Sequence, residues 1–145
     1  MPAKYNQLIE FSNKIKQLND IEREQFIQSS LKDLAARLLA KVIKRTPVIN
    51  GTLRRGWTGE GNQSANRYAQ MLEIKKRGSS YIIDIVNPVE YASYVEYGHR
   101  TRNHKGWVKG KFMLTISANE INQMLPQLLE KRLNKMLKDV ISCLM

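Results

Sequence analysis

Apolar residues recur at helical spacing in two long stretches of the chain, one in each half. The apolar positions of the first stretch are Ile27, Leu31, Leu34, Leu38 and Val42. Positions three and four apart share one face of an α-helix, and charged side chains occupy the other face here. Asn19 can cap this helix, because Glu22 follows three residues later as in a capping box, and Pro47 disfavours helical geometry at the preceding residue. We therefore predict a long helix over about Asp20–Arg45.

The second stretch follows residue 111 and predicts a long C-terminal helix. Its apolar positions are Phe112, Met113, Ile116, Ile121, Met124, Leu125, Leu128, Leu129, Leu133, Met136, Leu137, Val140 and Ile141. Pro126 has no backbone N–H, so we expect a kink or a break near residues 122–125. A shorter stripe of the same period predicts a leading helix over Lys4–Leu18, within residues 1–18.

Between the two long helices, apolar and polar residues alternate with the period of a β-strand. The alternation covers Tyr68–Lys76 and Ser80–Val86, and Arg77-Gly78-Ser79 supplies a turn between them. We predict a β-hairpin with one apolar face, which the first long helix covers.

A third short strand is predicted over Thr52–Thr58. It follows the turn signal Asn50-Gly51, in which both residue types tolerate positive φ, and alternation places Leu53 and Trp57 on one side. Residues 59–66 are polar and contain glycine, which indicates a mobile loop.

The stretch from Asn87 to Gly98 links the predicted hairpin to the end of the chain. Asn87 can cap a helix that begins at Pro88, and Gly98 can end it. Tyr91 and Tyr94 then share one face. Since a helix of about ten residues is marginal by itself, we expect this aromatic face to pack against the domain.

A basic loop, residues 99–111, follows. Its cations are Arg100, Arg102, Lys105, Lys109 and Lys111, and it contains no acid. Glycines flank Trp107, and a segment of this composition buries little, so we expect it to be flexible until a partner orders it. Clustered cations with an aromatic side chain suit either a nucleic-acid site or a protein interface.

Together these elements predict one α+β domain over residues 1–145. An antiparallel sheet of about three strands packs against a long helix of the N-terminal half and a long C-terminal helix, with a short central helix and a flexible basic loop. Chains of this length ordinarily form a single domain with a buried core.

Composition limits the function classes. The 145 residues include 24 basic and 13 acidic side chains, a net charge of +11, which predicts attraction to polyanions at low salt. Cys143 is the single cysteine and cannot form an internal disulfide, which favours a reducing compartment. No run approaches the ~18 apolar residues of a membrane span, and the N-terminus lacks a signal-peptide core. We expect a soluble protein, made in the cytoplasm, without a membrane partner.

Catalytic motifs are weak. His99 and His104, with Asp84 or Glu96, are the candidates for a metal-dependent nuclease, but their spacing matches no ligand motif. Cys143 has no evident base beside it. We therefore predict no catalytic residue, no metal site and no cofactor.

An ordered set of short motifs carries a resemblance to a known family. The motifs are Thr46-Pro47-Val48, Gly51-Thr52-Leu53-Arg54, Trp57, Asn87, Tyr91-Ala92-Ser93-Tyr94-Val95-Glu96-Tyr97-Gly98 and Gly110-Lys111-Phe112-Met113. In this order the chain resembles, from about Leu31 to Leu137, the minor tail or tail-completion proteins of tailed bacteriophages and prophages, the lambda protein Z type.

The resemblance implies a structural virion protein without catalysis, assembled in the bacterial cytoplasm, at the junction of tail and head. Implied partners are other tail and head-connector proteins, with copies of this chain arranged in a ring and nonspecific contact with DNA as a secondary expectation. Tail completion, tail termination and head closure all remain open. A small basic nucleic-acid-binding protein is the alternative function.

Two groups of residues follow from this interpretation. The expected partner interface consists of Arg100, Arg102, Lys105, Trp107 and Lys109. Architectural roles are expected for Pro47, Gly51, Leu53, Arg54, Trp57, Tyr91, Tyr94, Glu96 and Gly98. Glu96 is a candidate to pair with Arg54 or Arg55.

Overall fold

The computed structural model describes residues 6–10, 13, 19–48, 51–59, 61 and 63–144, with side chains up to residue 139. Its elements in chain order are α1 (Asp20–Arg45), α2 (Thr52–Gly56), α3 (Ala65–Met71), β1 (Lys75–Arg77), β2 (Ser80–Ile82), α4 (Ala92–Tyr97), β3 (Gly98–Arg100), β4 (Trp107–Lys109) and α5 (Met113–Leu144). The α+β class is confirmed. Most of the leading helix predicted over Lys4–Leu18 lies outside the described residues, of which 6–10 and 13 are helical.

The chain divides into two compact units. One consists of Met1–Leu31 with Asn122–Met145, and the other of Lys32–Ile121. Helices α1 and α5 each contribute residues to both units.

Helix α1 has the predicted bounds. The Glu22 N–H donates to Asn19 Oδ1 at 2.8 Å, so the predicted cap is present. The helix ends at Arg45, and the Thr46 N–H donates to the Val42 carbonyl at 2.9 Å just before Pro47.

The core of the larger unit forms on the buried face of α1. Its buried members are Ala35, Ala36, Leu39, Val42, Leu53, Trp57, Ala69 and Met113. Leu39 and Val42 are completely inaccessible to solvent, so the centre of this core lies over the second half of α1.

The strand predicted over Thr52–Thr58 is wrong, because residues 52–56 form helix α2. Leu53 and Trp57 are nevertheless buried on the same side, as predicted. A separation of four residues brings two side chains to one side in a strand and in a helix alike. Gly51, at φ 80°, lies directly before the helix.

The strand predicted over Tyr68–Lys76 is also largely wrong. Residues 65–71 form helix α3, capped by Ser64, whose side chain accepts the Arg67 N–H at 3.1 Å. The residues of this segment that pack on the core are Ala65, Tyr68, Ala69 and Leu72, the spacing of a helical face. The Ser64 cap and the helical spacing of the core-facing residues therefore determine the structure of this segment, and the short alternation of apolar and polar residues does not.

The predicted turn at Gly78 and Ser79 is confirmed, although its strands are shorter than expected. Strand β1 pairs antiparallel with β2, with Lys76 opposite Tyr81. Just beyond β2, Asp84 hydrogen-bonds Lys75 at 3.0 Å, and this bond and the carboxylate charge raise the pKa of Lys75. In the described residues, β1–β2 and β3–β4 are separate two-stranded ladders, so the single sheet of about three strands is corrected.

The smaller unit has its own apolar cluster. Phe26 and Leu133 are buried there against Ile27, Met136 and Leu137. Helix α5 continues through Pro126 as one element, so of the two expected outcomes, a kink or a break, the break is excluded.

Candidate partner interface

Helix α4 is shorter than predicted because Asn87 has another role. Its side-chain amide donates to the Leu53 carbonyl at 2.8 Å, and its Oδ1 accepts the Val89 N–H at 3.1 Å. Asn87 therefore closes a local turn and ties it to α2. The helix begins only at Ala92, and Gly98 follows its last residue, as predicted.

Glu96 caps the N-terminus of α5. Its side chain is 5% exposed, and its two oxygens accept the Leu114 N–H at 2.9 Å, the Thr115 N–H at 2.9 Å and the Thr115 hydroxyl at 2.7 Å. Phe112, directly before the helix, has no side-chain acceptor for these donors. A carboxylate at a helix N-terminus satisfies unpaired N–H groups and complements the helix dipole.

The proposed pair of Glu96 with Arg54 or Arg55 is therefore wrong. The carboxylate of Glu96 binds α5, and Arg54 Nε donates to the Thr46 carbonyl at 2.9 Å. The absence of a capping residue at Gly110-Lys111-Phe112 is a sequence signal that the cap comes from elsewhere. The tertiary structure decides which carboxylate supplies it.

The backbone ties the same two helix ends together. The Lys111 N–H donates to the Val95 carbonyl at 2.8 Å, and the Phe112 N–H donates to the Glu96 carbonyl at 3.0 Å. The last carbonyls of α4 are thus paired with the residues that lead into α5. We call this arrangement of residues 95–98 and 110–115 the helix junction.

Two glycines allow the close backbone approach at the helix junction. A Cβ on Gly98, which has φ 90°, would lie 2.5 Å from the Val108 carbonyl oxygen. A Cβ on Gly110 would lie 2.6 Å from the Tyr97 carbonyl carbon. Real Cβ atoms do not come this near to backbone atoms, so both positions require glycine. Phe112 has φ 48°, an unfavourable conformation for a bulky residue, which the helix junction holds in place.

The segment predicted as a flexible basic loop forms a β-hairpin, β3–β4. His99 pairs with Val108, and Arg100 pairs with Trp107. At its tip the Thr101 N–H donates to the Gly106 carbonyl at 2.9 Å. We call residues 98–109 the basic hairpin.

All five residues predicted for the partner interface lie on the basic hairpin and are exposed: Arg100, Arg102, Lys105, Trp107 and Lys109. Trp107 is 62% exposed, and its pairing opposite Arg100 places both side chains on the same face of the ladder. The structure thus brings an aromatic side chain and a guanidinium together on the surface.

The expectation that Tyr91 and Tyr94 pack inward is wrong. Tyr91 is 38% exposed and Tyr94 is 59% exposed, whereas Ala92 and Val95 of the six-residue α4 pack against the core. Tyr97, at the end of α4, is 64% exposed. The Tyr94 ring lies near His99, with a centroid distance of 5.8 Å.

These side chains belong to a larger exposed set that sequence analysis did not identify. The exposed large apolar side chains of residues 91–116, which we call the aromatic surface, are Tyr91, Tyr94, Tyr97, Trp107, Val108, Phe112 and Ile116. Trp107 and Val108 are neighbours on β4 and point to opposite faces of the ladder. The Tyr97 and Phe112 rings meet edge to face, with centroids 6.4 Å apart. Exposed aromatic side chains beside arginine are characteristic of protein interfaces.

Two of the remaining motif residues, Leu53 and Trp57, are buried in the core of the larger unit. Trp57 donates its indole N–H to Thr46 Oγ1 at 2.9 Å. Pro47 and Gly51 are half-buried and lie after the end of α1 and directly before α2.

The histidines have no metal-binding environment within the described residues. His104 is exposed at the hairpin tip with φ 58°, and His99 faces Tyr94. In the part of the chain that the structure describes, no three His, Cys, Asp or Glu side chains cluster as metal ligands do. Nor does any helix in that part combine the length and apolar character needed to cross a bilayer.

Comparison with known proteins shows a match to a family model. The family model described as "Bacteriophage HK97-gp10, putative tail-component" matches residues 9–98 of the chain. The matched range begins before the resemblance seen in the sequence and ends at Gly98, so most of the basic hairpin and all of α5 lie beyond it. No curated protein and no solved structure matches the chain.

Proposed function

Because the chain belongs to the HK97-gp10-like family of bacteriophage tail components, we propose that it is a structural virion protein acting where the tail meets the head. Membership confirms the resemblance to phage tail proteins. In our proposal the protein completes or joins the tail, catalyses no reaction, binds no cofactor, and assembles in the host cytoplasm as a ring with tail and head-connector proteins.

The observation that best supports an assembly role is the aromatic surface beside the basic hairpin. Trp107, Tyr94 and Tyr97 are each more than half exposed on one short segment of chain. Monomeric proteins seldom leave such a group of large apolar side chains in water, whereas interfaces concentrate Tyr, Trp and Arg. The helix junction below it is closely hydrogen-bonded and can present this surface in a defined geometry.

The test is electron microscopy of a lysate from a phage that lacks the gene. We expect separate filled heads and finished tails, which join into infectious particles when purified protein is added. Tails of abnormal length would assign the protein to termination. Normal infectious particles without the gene would refute the proposal.

Contact with DNA is a second candidate function, favoured by the exposed cations of the basic hairpin. Residues 98–111 carry five cations and no carboxylate, which suits a phosphate backbone passing through the neck. We expect affinity for duplex DNA, measured by fluorescence anisotropy, to fall as the salt rises from about 50 to 200 mM. Unchanged affinity after replacing Arg100, Arg102, Lys105 and Lys109 by alanine would refute this role.

A further inference from the structure

We infer that the basic hairpin and the aromatic surface dock onto an acidic, partly apolar surface of a different protein and not onto a second copy of this chain. The inference rests on the proposed function and names the chemistry of the partner. It follows from three features of the larger unit: the charge of the hairpin, the ion pairs and burial of the unit's own carboxylates, and the exposed apolar side chains of residues 91–116.

The cations of the hairpin are not neutralised within the described structure. Arg100, Arg102, Lys105 and Lys109 are exposed, and none of the ion pairs between described residues involves them. The nearest carboxylate in sequence, Glu96, is buried and accepts hydrogen bonds from α5. The charged side chains of the basic hairpin are therefore all positive, and their charge is available to a partner.

A second copy offers little to receive this charge. In the larger unit Asp33 bonds Arg37 at 3.1 Å, Asp84 bonds Lys75 at 3.0 Å, and Glu120 bonds both Lys41 and Arg45. With Glu96 buried as well, four of the six carboxylates described in this unit are ion-paired or buried, and Glu73 and Glu90 are the exposed remainder.

Net charge also opposes self-association through this surface. The chain carries +11, so two copies repel each other at long range. The densest acidic group elsewhere lies at the start of α1 and consists of Asp20, Glu22 and Glu24. Asp20 pairs with Arg23 at 3.6 Å, and Glu24 also has an interaction partner. An acidic partner gains from the same charges, because opposite potentials steer association and fix orientation.

The aliphatic members of the aromatic surface favour a protein over a nucleic acid as the partner. Val108 and Ile116 are exposed aliphatic residues, each 43% accessible. Aliphatic side chains do not form the stacking platform that bases require, but they bury well against apolar side chains of a protein.

A cleft lined in part by Tyr97 can accommodate one apolar side chain of the partner. It has a volume of about 220 Å³ and is lined largely by apolar residues, among them Ile85, Val86, Ala92 and Leu114. Interfaces of this kind combine a central apolar anchor with a charged rim. We place the apolar contacts of the partner in this cleft and on the tyrosines, and its carboxylates against the hairpin.

The experiment compares a hairpin variant with a matched control. The hairpin variant is Arg100→Glu, Arg102→Glu and Lys105→Glu. The control, Lys44→Glu, Lys76→Glu and Arg77→Glu, makes the same change in net charge at exposed residues of other elements. Circular dichroism verifies that both variants are folded. Each protein, labelled at its N-terminus, is co-sedimented with filled heads and with tails purified from a phage lacking the gene.

The wild type is expected to bind one of the two particles with an affinity that falls with added salt, and to sediment alone as a monomer. The hairpin variant should bind at least about tenfold more weakly, since three attractive contacts become repulsive, while the control stays within about twofold. Equal binding by the hairpin variant overturns the inference, as does the absence of wild-type binding.

Two further outcomes identify another occupant. An oligomer of wild-type protein that the hairpin variant dissociates shows that a second copy occupies the surface. Loss of duplex DNA binding without loss of particle binding shows that the occupant is DNA. Particle joining, measured in parallel, distinguishes failure of the inference from failure of the proposed function. If both variants restore joining, the inference fails and the proposed function stands. Intact particles formed without the gene refute the proposed function itself.

Discussion

Glu96 offers the sharpest test of how this chain holds its interface in place. Replacement by alanine removes an acceptor of three hydrogen bonds, two from backbone N–H groups of α5 and one from the Thr115 hydroxyl. Hydrogen bonds to charged groups contribute about 1.5–3 kcal/mol each, and a lost helix cap costs about 0.5–2 kcal/mol. Because water can reach part of the emptied site, we expect a total loss of about 2–4 kcal/mol.

The assay is urea denaturation followed by far-ultraviolet circular dichroism, which reports the free energy of unfolding. For a domain stabilised by about 5–15 kcal/mol, the expected loss is a clear shift of the midpoint. Glu96→Gln keeps one oxygen acceptor but removes the charge, so it should cost less, about 1–2 kcal/mol. Glu90→Ala, at an exposed position on the same segment, is the control and should stay within about 0.5 kcal/mol of wild type.

A double-mutant cycle isolates the side-chain contact. Thr115→Val removes the hydroxyl that donates to Glu96 at 2.7 Å, and its effect should largely vanish when Glu96 is already alanine. If Glu96→Ala costs no more than Glu90→Ala, or if the cycle shows no coupling, our account of the helix junction is wrong.

Two further predictions concern Gly98 at the helix junction and the buried hydroxyl of Thr46. Gly98→Ala and Gly78→Ala both place a Cβ at positive φ, but only the first meets backbone atoms, the second having open space around it. We expect Gly78→Ala to cost about 1 kcal/mol and Gly98→Ala clearly more, measured by the same denaturation; equal losses would contradict the steric argument. Thr46→Val leaves the buried indole N–H of Trp57 without its acceptor, which should cost about 1–3 kcal/mol and alter the tryptophan fluorescence. A stable Thr46→Val variant with an unchanged spectrum would show that this hydrogen bond does not stabilise the core.

The long helices were predictable because many residues along each of them favour the same secondary structure. Helix α1 shows its apolar face along most of its length, has a capping residue at its start and ends two residues before Pro47. Each of these local signals points to the same bounds. The buried pair Leu53 and Trp57 was also predictable, because helix and strand place these positions on one side alike.

The short elements were not predictable in the same way. Five or seven residues carry too little pattern to separate a helix from a strand, as α2 and α3 illustrate. Their type depends on packing against α1. The extent of α4 was decided by Asn87, whose side chain can cap a helix but here bonds the Leu53 carbonyl far away in sequence.

For the candidate interface, the sequence alone determined the chemistry: the cations and Trp107 of residues 99–111, and the family to which the chain belongs. Tertiary structure alone decided which of these side chains are exposed. The six-residue α4 leaves its tyrosines exposed, and the Glu96 carboxylate is buried because it caps α5. The physical reason is that composition and periodicity record local preferences, whereas the partner of a buried carboxylate or an unpaired N–H is chosen by groups brought together only when the chain folds.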